Sequence, residues 1–120
     1  MSCRILVVDD DPEFRGLAAR VVAHDGIEVS VAGTVASAID LARELKPSAA
    51  LVDIGLPDGD GTELARALSA MPWQVNIVLT SSDPDAVGPD DVRACGARAF
   101  VPKDELADGP LRRLLDIEPR

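Results

Sequence analysis

The sequence predicts an α/β fold, a doubly wound five-stranded parallel sheet with helices on both faces. Three observations predict it. Apolar stretches of strand length alternate with stretches of helical periodicity five times along the chain. One stretch, Ala49–Val52, is an unbroken apolar run, as expected of a strand buried on both faces of a parallel sheet. Short polar or charged residues follow the apolar runs at Asp9, Asp53, Thr80 and Lys103, and open α/β sheets keep their sites at the carboxyl ends of their strands. A chain of 120 residues is long enough for a single core, so one domain over residues 1–120 is expected.

The elements follow in order. Arg4–Val8 is the first strand and stops at Asp9-Asp10-Asp11. Asp11 is the expected N-cap of the next helix, and Pro12 suits its first turn, where a missing N–H costs nothing. That helix is expected from Pro12 to His24, with Phe14, Leu17, Ala18, Val21 and Val22 on its apolar face and Asp25-Gly26 as its stop. His24 reads as a surface residue favoured by the helix dipole. Glu28–Ala32 alternates and is the second strand, toward an edge of the sheet.

Gly33 turns the chain, Thr34 caps a helix from Val35 to about Leu45, and Pro47 ends it. The central strand Ala49–Val52 leads into Asp53 and a loop rich in Gly, Pro and Asp. Asp58 and Asp60 read as turn and cap residues. Asp60 or Thr62 opens a third helix to about Ala70, broken by Met71-Pro72-Trp73, with Trp73 as a lid on the core edge. Asn76–Leu79 is the fourth strand. Asp83-Pro84-Asp85 and Gly88-Pro89 then leave room only for a short helix near Asp90–Cys95, ended by Gly96. Ala97–Val101 is the fifth strand, stopped by Pro102 and Lys103. Gly109-Pro110 interrupts the last helix, whose firm part is expected at Pro110–Ile117.

Composition narrows the function. Aromatics are 2% of a chain that is 47% apolar, so the core must be built from Ala, Val, Leu and Ile. A formal net charge of -9 argues against direct contact with nucleic acid or an anionic membrane and is compatible with cations. Cys3 and Cys95 lack metal-ligand spacing and read as thiols of a reducing cytosol. No signal peptide is found, and no apolar run approaches the ~20 residues that span a bilayer, so a soluble, cytoplasmic protein is expected.

In a doubly wound sheet of strand order 2-1-3-4-5, the first and third strands are neighbours at the switch point. Asp9, Asp10 and Asp53 should therefore converge. Carboxylates so close repel one another unless a cation lies among them. Mg²⁺ prefers oxygen ligands in octahedral array and keeps several waters, so two carboxylates, a loop carbonyl and water would suit it. The Gly55 carbonyl is the natural candidate, since the chain turns back there. The same arrangement permits phosphoryl transfer: a free oxygen of Asp53 could attack phosphorus in line, with Lys103 paired to phosphoryl oxygens and the Thr80 hydroxyl donating to another.

Four segments carry a resemblance across essentially the whole chain. They are Leu6-Val7-Val8-Asp9-Asp10-Asp11-Pro12, Leu51 to Gly61, Val78-Leu79-Thr80-Ser81 and Gly96 to Lys103. In that order, at strand ends, they resemble the receiver domain of bacterial two-component response regulators. The resemblance implies a flavodoxin-like (βα)5 fold with strand order 2-1-3-4-5. It implies that Asp53 is phosphorylated by a histidine kinase, a phosphotransfer protein or a small phosphodonor. Mg²⁺ would be bound by Asp10, Asp53 and the Gly55 carbonyl, with Asp9 helping through water. Asp53, Thr80 and Lys103 would be the catalytic group, with Ser81 lining the phosphate pocket. Thr80 and Phe100 would be a switch pair that remodels the face made by the fourth helix, fifth strand and fifth helix. Such a module catalyses its own phosphorylation and slow dephosphorylation rather than turning over substrate. It acts through an effector domain after Arg120 or through a protein partner, and phosphorylation could drive a homodimer.

Departures bear on the output. Gly88-Pro89 shortens the fourth helix and Gly109-Pro110 weakens the start of the fifth, both at that face. Asp104, where many relatives have proline, predicts no cis peptide after Lys103. Two other readings stand beside the first: a haloacid-dehalogenase-like phosphatase or phosphotransferase, and a degenerate receiver serving as a scaffold. The former would want a second acid two residues after the nucleophile, and Gly55 stands there instead.

Overall fold

The computed structural model describes residues 3–22, 27–108 and 115. Its central sheet is made of β1 (Cys3–Val8), β2 (Ile27–Ala32), β3 (Ala49–Asp53), β4 (Asn76–Ser81) and β5 (Ala99–Pro102). The order is β2-β1-β3-β4-β5, and every pairing is parallel. The helices are α1 (Pro12–Val22), α2 (Val35–Leu45), α3 (Gly61–Ser69) and α4 (Pro89–Ala94), with a 3₁₀ helix over Lys103–Asp108. The flavodoxin-like topology expected from the sequence is therefore present.

Strand alternation sorts the core into two layers. Leu6, Val8, Ala50, Val52, Ile77 and Leu79 face α2, α3 and α4. Ile5, Val7, Ala49, Leu51 and Val78 face α1 together with Leu106 and Leu115. All five residues of β3 are buried, which is why its sequence does not alternate. The register aligns Val8 with Val52, Asp53 with Thr80 and Ser81 with Pro102. Residues that follow these pairs, Asp9 and Lys103 among them, thus reach the same carboxyl edge.

Local chemistry sets the ends of the elements. Thr34 and Ser37 form a reciprocal capping box at the start of α2, and the Asp60 side chain accepts from the Thr62 N–H to cap α3. α2 stops one residue before Pro47: Lys46 adopts a left-handed conformation, φ 51°, and returns its N–H to the Ala42 carbonyl. α4 is six residues long and lacks a side-chain cap, in line with the shortening expected from Gly88-Pro89.

Three details differ from expectation. β5 starts at Ala99 rather than Ala97, because the Ala97 N–H is spent on the Val92 carbonyl in closing α4, with Gly96 at φ 85°. Gly55–Leu56 and Gly59–Asp60 pair antiparallel, giving the loop after β3 a ladder of its own. The chain after Lys103 coils at once into the 3₁₀ helix. Trp73 lies half-buried against the core and donates its Nε1–H to the Pro47 carbonyl at 2.9 Å, the lid anticipated. His24, the stop at Asp25-Gly26 and the helix expected at Pro110–Ile117 lie outside the described residues. No helix among the described residues is long and apolar enough to cross a membrane.

Candidate functional site

Asp9 is delivered to the sheet edge by β1. Its N–H donates to the Ala32 carbonyl, extending the ladder with β2, and its side chain is fully buried. Asp9 Oδ1 accepts the Asp11 N–H at 2.8 Å, which bends the acidic run back over the strand end. Asp10 is left exposed at the rim. Asp53, the last residue of β3, is 6% exposed, and its Oδ1 accepts the Gly55 N–H at 3.3 Å. Asp9, Asp10 and Asp53 each offer one oxygen within 4.8 Å of the others.

Lys103 closes the pocket from the end of β5. Its Nζ lies 2.7 Å from Asp9 Oδ2 and 3.4 Å from Asp53 Oδ2. The ammonium also sits 4.3 Å from the centroid of the Phe14 ring. The sequence marked Phe14 only as core; a cation–π partner is legible only once α1 packs against the 3₁₀ helix that Lys103 opens. Thr80, beside Asp53 in the ladder, is wholly buried, and its Oγ1 has no hydrogen-bond partner among the described residues. An unsatisfied buried hydroxyl is costly, and this one borders the carboxylate proposed to react. Ser81 is half-buried and accepts the Asp83 N–H at 3.1 Å, so its hydroxyl is already engaged in a turn. Phe100 is half-buried against the layer under α4 and lines a groove with Val87, Pro89 and Val92.

Electrostatics follow from this crowding. Burial, then the neighbouring Asp9 charge, push the Asp53 carboxyl above its ordinary value; Lys103 and the Gly55 N–H only partly offset them. Burial alone would lower the Lys103 ammonium, but hydrogen bonding and attraction from Asp9 and Asp53 overrule it and hold it above its ordinary value. Because the native Asp53 value is raised, ionised Asp53 opposes folding. That penalty is absent below its unfolded value of 3.8 and is complete once pH has risen past the native value. Asp53→Asn is therefore expected to raise the urea midpoint at pH 7 in metal-free buffer. A lower midpoint would contradict this balance.

The donor set suits a hard divalent cation. Among the described residues, three carboxylates at Asp9, Asp10 and Asp53 face one ammonium, that of Lys103, so acidic groups outnumber it. The exposed Asp10 keeps the approach open to water. The Gly55 backbone N–H is drawn to Asp53, so the loop doubles back on the pocket.

A five-stranded parallel sheet with an acidic pocket and a lysine at its carboxyl edge defines the receiver modules of two-component signalling. The chain belongs to that family: the model of the response regulator receiver domain matches residues 5–114. It is 37% identical over 115 residues to the DNA-binding response regulator MtrA of Mycolicibacterium smegmatis, covering 89% of this chain and 49% of that protein. It is 41% identical over 88 residues to a protein-glutamate methylesterase/protein-glutamine glutaminase of Anaeromyxobacter dehalogenans, covering 71% of this chain and 26% of that protein. The chain thus spans about half the length, or less, of these curated relatives. Among solved structures it resembles the BeF3-activated N-terminal receiver domain of Klebsiella pneumoniae RstA, with a TM-score of 0.79, 33% identity and coverage of 92% of this chain and 94% of that one. Receiver domains generally bind Mg²⁺ in such an acidic pocket and interact with histidine kinases and effector domains.

Proposed function

We propose that Asp53 is the phosphoacceptor of this receiver domain. The observation that carries the reading is the buried Thr80 hydroxyl, without a partner among the described residues, next to a carboxylate that also faces the Lys103 ammonium. A carboxylate oxygen of Asp53 attacks phosphorus, and the bond from phosphorus to the donor breaks. The donor is a phosphohistidine of a histidine kinase or phosphotransfer protein, or a small acyl phosphate. Lys103 pairs with a phosphoryl oxygen and Thr80 donates to another, which supplies positioning and charge stabilisation. Ser81, at the rim, lines the same pocket. Asp10, Asp53 and the Gly55 carbonyl would hold Mg²⁺, with Asp9 acting through water. When bound, the ion would neutralise charge on the phosphoryl oxygens.

Movement of Thr80 toward the phosphoryl group frees space into which Phe100 turns. The face of α4, β5 and the helix expected at Pro110–Ile117 thereby changes its surface. An effector domain or a protein partner reads that change, and a homodimer formed on phosphorylation is one form the readout can take. The module is a switch set in the cytoplasm, with slow loss of its own phosphate.

Acetyl phosphate with Mg²⁺ tests this. Wild type is expected to gain one hydroxylamine-labile acyl phosphate per chain, and Asp53→Asn none. Release of many phosphate equivalents per chain would favour a turnover phosphatase, and no uptake by wild type would favour a scaffold.

A further inference from the structure

We propose that Asp58 is a positioning residue for the cation pocket: its carboxylate clamps the tip of the loop carrying Gly55 onto the first turn of α2. The inference rests on the cation assignment made above and adds a residue that touches neither cation nor phosphoryl group.

The loop between β3 and α3 is fixed firmly at its root. Ile54 N–H donates to the Thr80 carbonyl, Gly61 N–H returns to the Ile54 carbonyl, and Gly55–Leu56 pairs with Gly59–Asp60. The tip, Pro57-Asp58, is exposed. It is nevertheless tied down across the chain: Asp58 Oδ1 accepts the Val35 N–H at 2.7 Å and Oδ2 accepts the Ala36 N–H at 3.1 Å. These are the first two amides of α2, which no helical carbonyl can serve. A carboxylate there is also favoured by the helix dipole.

α2 does not need Asp58 for its cap. Thr34 and Ser37 already form the capping box, with Ser37 N–H on Thr34 Oγ1 at 3.0 Å. The Asp58 contact is therefore an addition that links two elements rather than a cap that starts one. Close packing supports the same link. A side chain at Gly59 would place its Cβ 3.1 Å from Val35 Cγ2, so the tip lies flat against α2. The Val35 and Ala36 N–H groups hold the Asp58 carboxyl below its ordinary value, keeping it ionised for this contact.

The consequence concerns preorganisation. Mg²⁺ tolerates little error in ligand placement, and groups behind the ligands tune its affinity. A loop pinned at both root and tip presents the Gly55 backbone with less motion than one pinned at the root alone. Linkage makes the effect reciprocal: filling the pocket must tighten the clamp by the same factor.

Calorimetric titration of the chain with MgCl2 tests this beside amide hydrogen exchange. Asp58→Ala is expected to weaken Mg²⁺ binding by about tenfold, with faster exchange at Val35 and Ala36 before any metal is added. Asp58→Asn, which keeps an oxygen to accept one N–H, should recover part of the affinity. Thr34→Ala removes a cap from the same helix without touching the loop and should bind Mg²⁺ as wild type does. In wild type, MgCl2 should slow exchange at Val35 and Ala36. The proposal is overturned if Asp58→Ala binds Mg²⁺ as wild type does, or if Thr34→Ala loses as much affinity as Asp58→Ala. If wild type takes up no Mg²⁺, the cation assignment itself falls and this role of Asp58 falls with it; a wild-type affinity that survives Asp58→Ala removes only the clamp.

Discussion

Gly61→Ala is expected to destabilise the fold by about 3 kcal/mol or more and to displace Asp53. Elsewhere, alanine at the start of a helix would gain about 0.4–1 kcal/mol over glycine by restricting the unfolded chain. Here the sign reverses. A Cβ on Gly61 would lie 2.2 Å from the Asp53 carbonyl oxygen, 2.7 Å from Ile54 Cα and 2.9 Å from the Asp53 carbonyl carbon. All three are backbone atoms, so no rotamer change relieves the clash. Relief requires moving α3 away or shifting the peptide that carries the Asp53 side chain. Urea unfolding gives the stability loss, and acetyl phosphate labelling gives the loss of acceptor geometry. A variant within about 0.5 kcal/mol of wild type that still labels would show that the backbone yields freely there.

Lys103→Met is expected to cost about 3 kcal/mol in metal-free buffer at pH 7. Methionine can keep much of the apolar stem's contact with Phe14, so the loss isolates the charge. Removing it leaves Asp9, fully buried, and Asp53, nearly so, without their cation. Removing one partner of a buried pair typically costs 3–5 kcal/mol; the partial exposure of the lysine places this case toward the low end. The pH dependence has a definite sign. In wild type, the raised ammonium contributes stability below its unfolded value of 10.5 for as long as the carboxylates it faces are charged, and loses it as pH rises past the native value. In the variant, Asp53 holds a proton still more readily, so the deficit should shrink as pH falls toward the carboxylate range. Added Mg²⁺ should shrink it as well, because a ligand that binds only the folded pocket stabilises by mass action. Urea midpoints across pH, with and without MgCl2, read both trends, and a deficit that is constant in both would refute the electrostatic account.

The sheet and its order were legible because β3 is buried on both faces and its neighbours carry strand-length apolar runs. Asp9, Asp53, Thr80 and Lys103 were legible because each stands at or next to the carboxyl end of a strand, and parallel pairing brings those ends together. What was not legible depends on contacts between distant segments. Asp58 reads locally as a turn residue, yet its carboxylate serves the amides of α2, 22 and 23 residues earlier. Phe14 reads as core, and only the arrival of Lys103 gives its ring a second role. The late start of β5 reflects competition for one N–H, at Ala97, between a strand and the end of α4. The left-handed Lys46 left no mark in a sequence where Pro47 already explained the stop.

Trp73 has a practical consequence. It is the sole tryptophan, and the chain holds no tyrosine. It is anchored to Pro47, ahead of β3, while Asp53 ends that strand, so the two lie at opposite edges of the sheet. Intrinsic emission will therefore track whether the polypeptide is folded and will be nearly silent to events at the acidic pocket. Denaturation curves can be recorded optically in magnesium or beryllofluoride without interference, and occupancy can be followed independently by heat or by nuclear resonance.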